Sequence, residues 1–153
     1  MVSKKTRTLP DVTRRLRRIP TGSLCDALDK VDIMNGYLSS EFRPLYHFSV
    51  TRPYFVRIAG PALTVKWKLS SEVIDYQKNV LAMIEAIDNA KEGEVVLLTA
   101  EADARDIALW GGLCGTAAKN AGVAGVIVDG GMRDIDQNLA VKLPVFTRSI
   151  IPT

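Results

Sequence analysis

Two continuous apolar runs constrain the fold of this chain more than any other feature. KEGEVVLLTA (91–100) turns at Gly93 and continues as an unbroken apolar strand, and VAGVIVDGG (123–131) has the same character. Such runs are typical of strands buried on both faces, at the centre of a mostly parallel sheet whose faces are covered by helices. The two runs therefore predict a layered structure organised around a central sheet.

Elements of alternating type surround these runs from residue 57 onward. Apolar and polar side chains alternate in the first of them, which predicts a strand with one buried face, and helical spacing or alanine richness marks the helices. Gly122 follows the alanine-rich helix, as a glycine often does. The predicted order is strand, helix, strand, helix, strand, short element and strand, over 57–69, 72–90, 91–100, 112–122, 123–131, 134–142 and 143–151. This alternation predicts the α/β class.

The N-terminal part of the chain lacks the alternation of strands and helices that is predicted from residue 57 onward. Two helical pieces are expected within 11–30, separated by Pro20, and Thr21 or Ser23 is expected to cap the second. Residues 31–54 contain glycine and prolines without a clear period, so we expect them to be irregular.

The first eighteen residues form a basic arm, with seven lysines and arginines against one acid, Asp11. A solvated N-terminus is one interpretation of this arm, and contact with nucleic acid or another anionic surface is the alternative. Without an aromatic–basic array, single-stranded nucleic-acid binding has little support.

Composition places the chain among globular proteins of a reducing compartment. It is 47% hydrophobic and 24% charged, with a net charge of +3 at pH 7, so it can bury a core without staples. Its two cysteines, Cys25 and Cys114, lie far apart without metal-ligand spacing. No apolar run has the length of a membrane span or follows the basic N-terminus as in a signal peptide, so we expect a cytoplasmic protein.

Paired glycines precede the alanine-rich helix in ALWGGLCG (108–115). In an open α/β sheet, ligands bind beyond the carboxyl ends of the strands, where the N–H groups of a helix N-terminus favour a carboxylate or phosphate. Glycine at this corner would let a ligand approach the backbone. The pattern fits neither a dinucleotide fingerprint nor a P-loop, and a plain tight turn is the alternative interpretation.

The second corner is DGGMRD (129–134), where Asp129 to Gly131 are expected to turn the chain out of its strand. Arg133 has the planar guanidinium that grips a carboxylate through two hydrogen bonds, and Asp134 offers the hard oxygen that Mg²⁺ prefers. Together the two side chains suit an α-keto acid bound with a divalent cation. The alternative is a surface ion pair between neighbours.

Other catalytic chemistries have little support in the sequence. His47 is the only histidine, and we expect it to pack or to face solvent, so a Ser-His-Asp arrangement is not indicated. The two cysteines are expected to be small apolar fillers. Trp67 and Trp110 are expected in the core or at an interface.

The stretch WGGLCGTAAKNAGVAGVIVDGGMRDIDQ (110–137) resembles the signature of the RraA-like family. Shorter stretches follow the family's order and rough spacing: TGSLCDAL (21–28), IAGPALTV (58–65) and KEGEVVLL (91–98). The family includes 4-hydroxy-4-methyl-2-oxoglutarate/4-carboxy-4-hydroxy-2-oxoadipate aldolases, which also decarboxylate oxaloacetate, and the regulator of ribonuclease E activity A. Many members carry a mistaken label as demethylmenaquinone methyltransferases.

The resemblance implies an α/β/β/α layered domain over 19–153, after the arm over 1–18. It also implies assembly as a homotrimer or dimer of trimers, with sites at subunit interfaces. By the same resemblance, Arg133 binds pyruvate and its developing enolate, and Asp134 ligates Mg²⁺ or Mn²⁺. Backbone amides hold the pyruvate carboxylate in the family, and they match Gly112, Leu113 and Cys114.

Two features depart from the family pattern. Gly112 stands where the aldolases commonly carry an acidic residue that holds metal-bound water. Family chains also continue with further strands, which bring an acidic residue to a neighbour's site, so we expect this sequence to lack the C-terminal part of the fold.

The function that the resemblance implies is that of a divalent-metal-dependent lyase. It would cleave 4-hydroxy-2-oxo diacids to pyruvate, or decarboxylate oxaloacetate, through a metal-stabilised enolate. The alternative is a non-catalytic regulator that binds a ribonuclease or another protein partner.

Overall fold

The computed structural model of the chain describes residues 8–45, 57–68, 70 and 75–152. It forms two compact units, Met1–Ser39 and Ser40–Thr153. His47, the first seven residues of the basic arm, and residues 69 and 72–74 of two predicted elements lie outside the described residues.

The first unit contains two short helices, α1 (Leu9–Leu16) and α2 (Thr21–Asp29). They confirm the two helical pieces predicted on either side of Pro20. The predicted cap of α2 is wrong, because Pro20 takes the cap position and no side chain within the described chain caps the helix. Thr21 and Ser23 lie inside the helix, past the position from which a hydroxyl caps it.

In its described residues, the second unit combines a six-stranded sheet with helices, and it confirms the α/β prediction. Its strands are β1 (Arg43–Pro44), β2 (Ala62–Trp67), β3 (Val95–Ala100), β4 (Ala108–Trp110), β5 (Gly125–Met132) and β6 (Val145–Ile150). Its helices are α3 (Tyr76–Asp88), α4 (Gly112–Asn120) and α5 (Ile135–Ala140). The sheet order is β1-β6-β5-β3-β2, and β4 pairs with β5. The four longer strands are mutually parallel.

Two strands occur where the sequence predicted none. β1 lies in the segment expected to be irregular and pairs antiparallel with β6, with Arg43 opposite Thr147. β4 lies within the first glycine corner and pairs with the end of β5, with Trp110 opposite Met132. Both strands have two or three residues. A run of that length carries no readable period, so only the partner strand defines it.

The core joins the central strands to the helices. Val96 of β3 lies opposite Val126 of β5, and Leu98 lies opposite Val128. All four side chains are fully buried in one cluster with Ile87 of α3. Burial of each such side chain contributes roughly 1.5–3 kcal/mol, which explains why these apolar runs define the centre of the sheet.

The glycines of β5 do not turn the chain out of the strand, contrary to the prediction for Asp129 to Gly131. The strand continues to Met132, which lies opposite Ile150 of β6. A Cβ at Gly130 would lie 2.7 Å from the Leu109 side chain, and one at Gly131 would lie 2.7 Å from the Ile107 carbonyl oxygen. These glycines therefore allow the segment leading into β4 to pack closely against β5.

Helix α4 ends as predicted. Its cap residue is Ala121, and Gly122 follows with φ of 74°. A left-handed residue at this position favours glycine, which has no Cβ to clash. None of the described helices has the length and apolar character of a membrane span.

Candidate functional site

A pocket of about 500 Å³ lies beyond the carboxyl ends of β2 and β3. Its wall includes the ends of those strands, β4, the first turns of α3 and α4, and the two residues after β5. Ligands of open α/β sheets bind at this edge. Both glycine-bearing corners identified in the sequence contribute to this one pocket.

Asp134 joins the two corners. Its Oδ2 accepts a hydrogen bond of 2.9 Å from the backbone N–H of Gly112, at the start of α4. The carboxylate thus occupies the positive end of that helix, where negative charge is stabilised. Asp134 itself has φ of 55°, in the left-handed region, and precedes α5. The chain therefore leaves β5 through a conformation that aims this carboxylate back towards α4.

Asn138 holds the backbone of Asp134 in place. Its backbone N–H and its Nδ2 donate to the Asp134 carbonyl oxygen at 3.1 and 3.0 Å. Its Oδ1 accepts a 3.0 Å hydrogen bond from Nε1 of Trp110, and both side chains are buried. A buried amide of this kind is stable because its polar atoms are paired. The pair links β4 to the turn that carries the site.

Arg133 lies between Asp134 and a residue that the motifs did not indicate, Tyr76. Its Nη2 donates to the Tyr76 hydroxyl oxygen, and its guanidinium carbon lies 5.6 Å from the ring centroid. Its Nε lies 3.6 Å from Oδ2 of Asp134. Both members of this ion pair are about one-third exposed, 36% and 37%, so the pair by itself contributes little stability.

The amides of the α4 N-terminus are the third component. The N–H of Gly112 is already bonded to Asp134. The amides of Leu113 and Cys114 follow it in the first turn, where an α-helix provides no carbonyl acceptor. Of the three amides predicted to hold a carboxylate, the Gly112 amide is the one that bonds the Asp134 carboxylate of the chain itself.

Cys114 behaves as the predicted apolar filler in the pocket wall. Burial raises the pKa of its thiol, and the nearby N–H of Gly111, its own N–H and the Arg133 charge oppose this shift. The thiol is therefore neutral near pH 7. A neutral, partly buried thiol is a poor nucleophile.

The corner glycines make room for the chain's own side chains. A Cβ at Gly111 would lie 2.8 Å from Oδ2 of Asp134. A Cβ at Gly112 would lie 1.8 Å from Oε1 of Gln137 and 2.9 Å from its Cβ. The absence of side chains at both positions lets the start of α5 and its flanking residue pack against α4, which the sequence pattern alone did not indicate.

A divalent cation at this site would have one carboxylate ligand from the described residues. Among the described residues that line the pocket, Asp134 is the single acidic side chain. The described residues contain no group of three His, Cys, Asp or Glu side chains arranged to hold a metal. Mg²⁺ is often held by one or two protein carboxylates, with water and substrate oxygens completing its shell. Asp134 has Oδ1 to offer, since Oδ2 is the atom bonded to Gly112.

A second charged cluster lies outside the pocket wall. Arg148 contacts Asp129 at 3.0 Å and Glu41 at 2.5 Å, and Arg105 bonds both Glu41 and Asp103. The side-chain hydrogen bond from Arg105 lowers the pKa of Asp103. Acids and arginines offset one another here, so this cluster ties loops to the sheet and does not resemble a cation site.

Comparison with known proteins gives one family. Residues 21–153 match the sequence profile of the family described as RraA-like: Aldolase/RraA. A protein of Halalkalibacterium halodurans, provisionally named as a 4-hydroxy-4-methyl-2-oxoglutarate aldolase, is 31% identical over 138 residues. That alignment covers 90% of this chain and 56% of the relative. The chain spans about half the length of the curated relatives that it matches.

Solved structures share the fold. RraAS2 of Streptomyces coelicolor, described as an unusual member of the RNase ES inhibitor RraA family, superposes with a TM-score of 0.73 at 20% identity. The match covers 97% of this chain and 67% of that one. The RNA-processing inhibitor RraA from Thermus thermophilis gives a TM-score of 0.64 at 20% identity, covering 89% and 70% of the two chains.

Proposed function

The chain belongs to the RraA-like family, and from that premise we propose that it is a cytoplasmic, divalent-metal-dependent lyase acting on 2-oxo acids. Its substrates would be 4-hydroxy-2-oxo diacids, cleaved to pyruvate, or oxaloacetate, which it would decarboxylate. The observation that supports this most is the hydrogen bond between Gly112 and Asp134. It gathers a carboxylate, a guanidinium and helix N-terminal amides at one end of one pocket.

Asp134 would hold the cation. The cation would be Mg²⁺ or Mn²⁺. When bound, it would act as a Lewis acid on the keto and carboxylate oxygens of the substrate. The Gly112 N–H donates to Oδ2 of the carboxylate, so Oδ1 would be the ligand atom. A ligand that is already hydrogen-bonded is favourable because less side-chain entropy is lost when the cation binds.

Arg133 and the α4 amides would bind the substrate. Cleavage of the C3–C4 bond leaves negative charge on a pyruvate enolate, and the Arg133 guanidinium would stabilise it. The Leu113 and Cys114 amides would donate to the C1 carboxylate at the positive end of α4. Groups fixed before the reaction stabilise developing charge without reorganisation, and loss of one typically costs about 10²–10³-fold in rate.

The test is pyruvate release by the purified chain from oxaloacetate and from 4-hydroxy-4-methyl-2-oxoglutarate, with and without Mg²⁺. We expect Mg²⁺-dependent release that a chelator abolishes and that Arg133→Lys lowers by about 10²-fold, because a lysine cannot form the paired hydrogen bonds. Arg43→Lys, an exposed arginine of β1 outside the pocket wall, is the matched control. Release that is unchanged by chelator and by Asp134→Ala would rule out this function.

A second candidate is a non-catalytic regulator that binds a ribonuclease. One observation favours it: the described part of the pocket wall carries one carboxylate, with glycine at position 112. A binder has no need of Arg133. Capture of a ribonuclease by the chain that survives Arg133→Ala, together with no pyruvate release, would support the regulator and contradict the lyase.

A homotrimer or a dimer of trimers is the assembly that we propose for either function. Large apolar side chains at the pocket wall are exposed, Leu113 by 61% and Ile107 by 41%. Exposed apolar side chains beside a binding site are typical of surfaces that associate. Light scattering coupled to size exclusion tests this, and a monomer at micromolar concentration would contradict it.

A further inference from the structure

The polar end of the pocket contains a phenol that no motif indicated. Tyr76 is the first residue of α3, and Asp75 fixes that end of the helix by accepting a 2.9 Å hydrogen bond from the Gln77 N–H. Tyr76 lines the pocket and is 61% exposed, so the residue is accessible to a ligand and to water.

Arg133 orients this hydroxyl. Its Nη2 donates to the Tyr76 oxygen, and a phenol that accepts a hydrogen bond keeps its own O–H free to donate. The guanidinium also lies where negative charge would form if that proton left. Preorganised positive charge at such a position stabilises proton transfer from the phenol.

The proposed reaction needs a proton donor at this end of the pocket. Loss of the C4 fragment, or of CO₂, leaves an electron pair shared between C3 and the enolate oxygen, and C3 must take up a proton to give pyruvate. On the pocket wall, Tyr76 carries an O–H group whose oxygen accepts a hydrogen bond from the Arg133 guanidinium.

We propose that Tyr76 donates its hydroxyl proton to C3 of the enolate. The C3 electron pair forms the new C–H bond, the phenolic O–H bond breaks, and Arg133 stabilises the phenolate. After decarboxylation, water reprotonates that phenolate. In retro-aldol cleavage, a solvent water first takes the C4 hydroxyl proton while the O–H electrons form the product carbonyl and the C3–C4 electrons move to C3. The Tyr76 phenol then protonates C3, and the proton taken up by solvent restores the phenol. This assignment rests on the proposed lyase function.

Exchange of the pyruvate methyl protons tests the assignment directly. The full chain is incubated with pyruvate and Mg²⁺ in deuterated water, and NMR follows loss of the methyl signal, which reports proton transfer at C3 without C–C cleavage. Tyr76→Phe keeps the ring beside Arg133 and removes only the hydroxyl. We expect exchange to slow by about 10²-fold or more, the usual contribution of a general acid–base group.

Oxalate supplies the second readout, since it has the planar, charged shape of the enolate. Its affinity, measured by calorimetry with Mg²⁺ present, should change less than about threefold in Tyr76→Phe, because a group acting only in proton transfer adds little to binding. Tyr37→Phe, at an exposed tyrosine of the first unit, is the matched control and should leave both readouts unchanged.

The outcomes distinguish failure of the Tyr76 assignment from failure of the proposed lyase function. Exchange in Tyr76→Phe close to that of the parent chain overturns the inference. An equal loss of oxalate affinity and of exchange also overturns it, because Tyr76 would then only hold Arg133. A parent chain that neither exchanges pyruvate protons nor releases pyruvate from oxaloacetate overturns the proposed function itself.

Discussion

Trp110 donates a 3.0 Å hydrogen bond from its indole Nε1 to Oδ1 of Asn138, and neither side chain is more than 1% exposed. The Nδ2 of the same Asn138 side chain donates a hydrogen bond to the Asp134 carbonyl oxygen. The buried pair thereby connects β4 with the left-handed residue that carries the site carboxylate. The packing of the core and the geometry of the site are coupled through this one amide.

A double-mutant cycle measures the Trp110–Asn138 contact. Asn138→Ala leaves the indole N–H unpaired, and Trp110→Phe leaves the amide oxygen unpaired. We expect each to lower the free energy of unfolding by about 1–3 kcal/mol or more, and the double variant to lose less than the sum by about 1–2 kcal/mol. Urea unfolding followed by circular dichroism gives these values. Additive losses would mean that the two residues do not act together.

The conformation of Asp134 predicts different effects for two substitutions. Asparagine tolerates φ of 55° and still offers an oxygen to the Gly112 N–H, whereas alanine does neither. We expect Asp134→Ala to lower the free energy of unfolding by about 1–2 kcal/mol and Asp134→Asn by less than about 0.5 kcal/mol. Both should lose Mg²⁺-dependent pyruvate release, since neither supplies a carboxylate. An active Asp134→Asn variant would contradict the assignment of Asp134 as metal ligand.

Position 112 allows an acidic residue to be introduced where the resemblance to the aldolases implies one. Gly112→Asp alone places a Cβ against Gln137, and overpacking of this kind costs about 1–3 kcal/mol. Gln137→Ala removes the Oε1 and Cδ contacts, so the double variant should recover part of that loss. We expect the double variant to release pyruvate faster than the parent chain, because a second carboxylate strengthens the divalent-cation site.

Gly112→Asn in the same Gln137→Ala background is the control, because it has the same shape without the charge. Equal pyruvate release by the aspartate and asparagine variants would mean that no carboxylate is needed at position 112.

The Cys114 thiol reports on occupancy of the pocket. Because burial raises the pKa of the thiol, little thiolate is present at pH 7, and we expect slow alkylation by iodoacetamide. Oxalate with Mg²⁺ should slow it further, since its carboxylate would cover the α4 amides. Mass spectrometry of the labelled peptides measures both cysteines, and Cys25 is the internal reference. Equal protection of the two cysteines would argue against binding at this pocket.

The lowered pKa of Asp103 predicts that the contribution of this residue to stability is lost in acid. The hydrogen bond from Arg105 lowers the pKa of Asp103 below its ordinary value of 3.8. Because the pKa of Asp103 is lower in the folded state, its contribution to stability is fully present above the pKa of the unfolded state. That contribution is lost as the pH falls through the pKa of the folded state. Asp103→Asn should therefore lower the melting temperature at neutral pH, and the difference from the parent should shrink below about pH 4.

High salt should also reduce the difference caused by Asp103→Asn, because the pair is exposed and ions screen it. Asp88→Asn, at an exposed carboxylate of α3 that forms no ion pair with a described residue, is the control. A difference in melting temperature that is constant with pH and salt would mean that Asp103 acts through packing.

The sequence by itself determined the frame of the molecule. The two apolar runs predicted the central strands, because a strand buried on both faces must be apolar at every position. Helical periodicity predicted α3 and alanine richness predicted α4, and Gly122 marked the end of the latter because a left-handed residue there excludes most side chains. Strand order then brings both glycine corners to one edge of the sheet, where Arg133 and Asp134 remain the predicted clamp and metal ligand.

Only the tertiary structure decided what surrounds those two residues. Tyr76 and Arg133 are 57 positions apart, and Trp110 and Asn138 are 28 positions apart, so no local spacing connects either pair. The use of the Gly112 amide by Asp134, and the filling of the space over Gly112 by Gln137, depend on how closely two helices approach. Periodicity records which face of an element is buried, whereas the identity of a contact is fixed by packing in three dimensions.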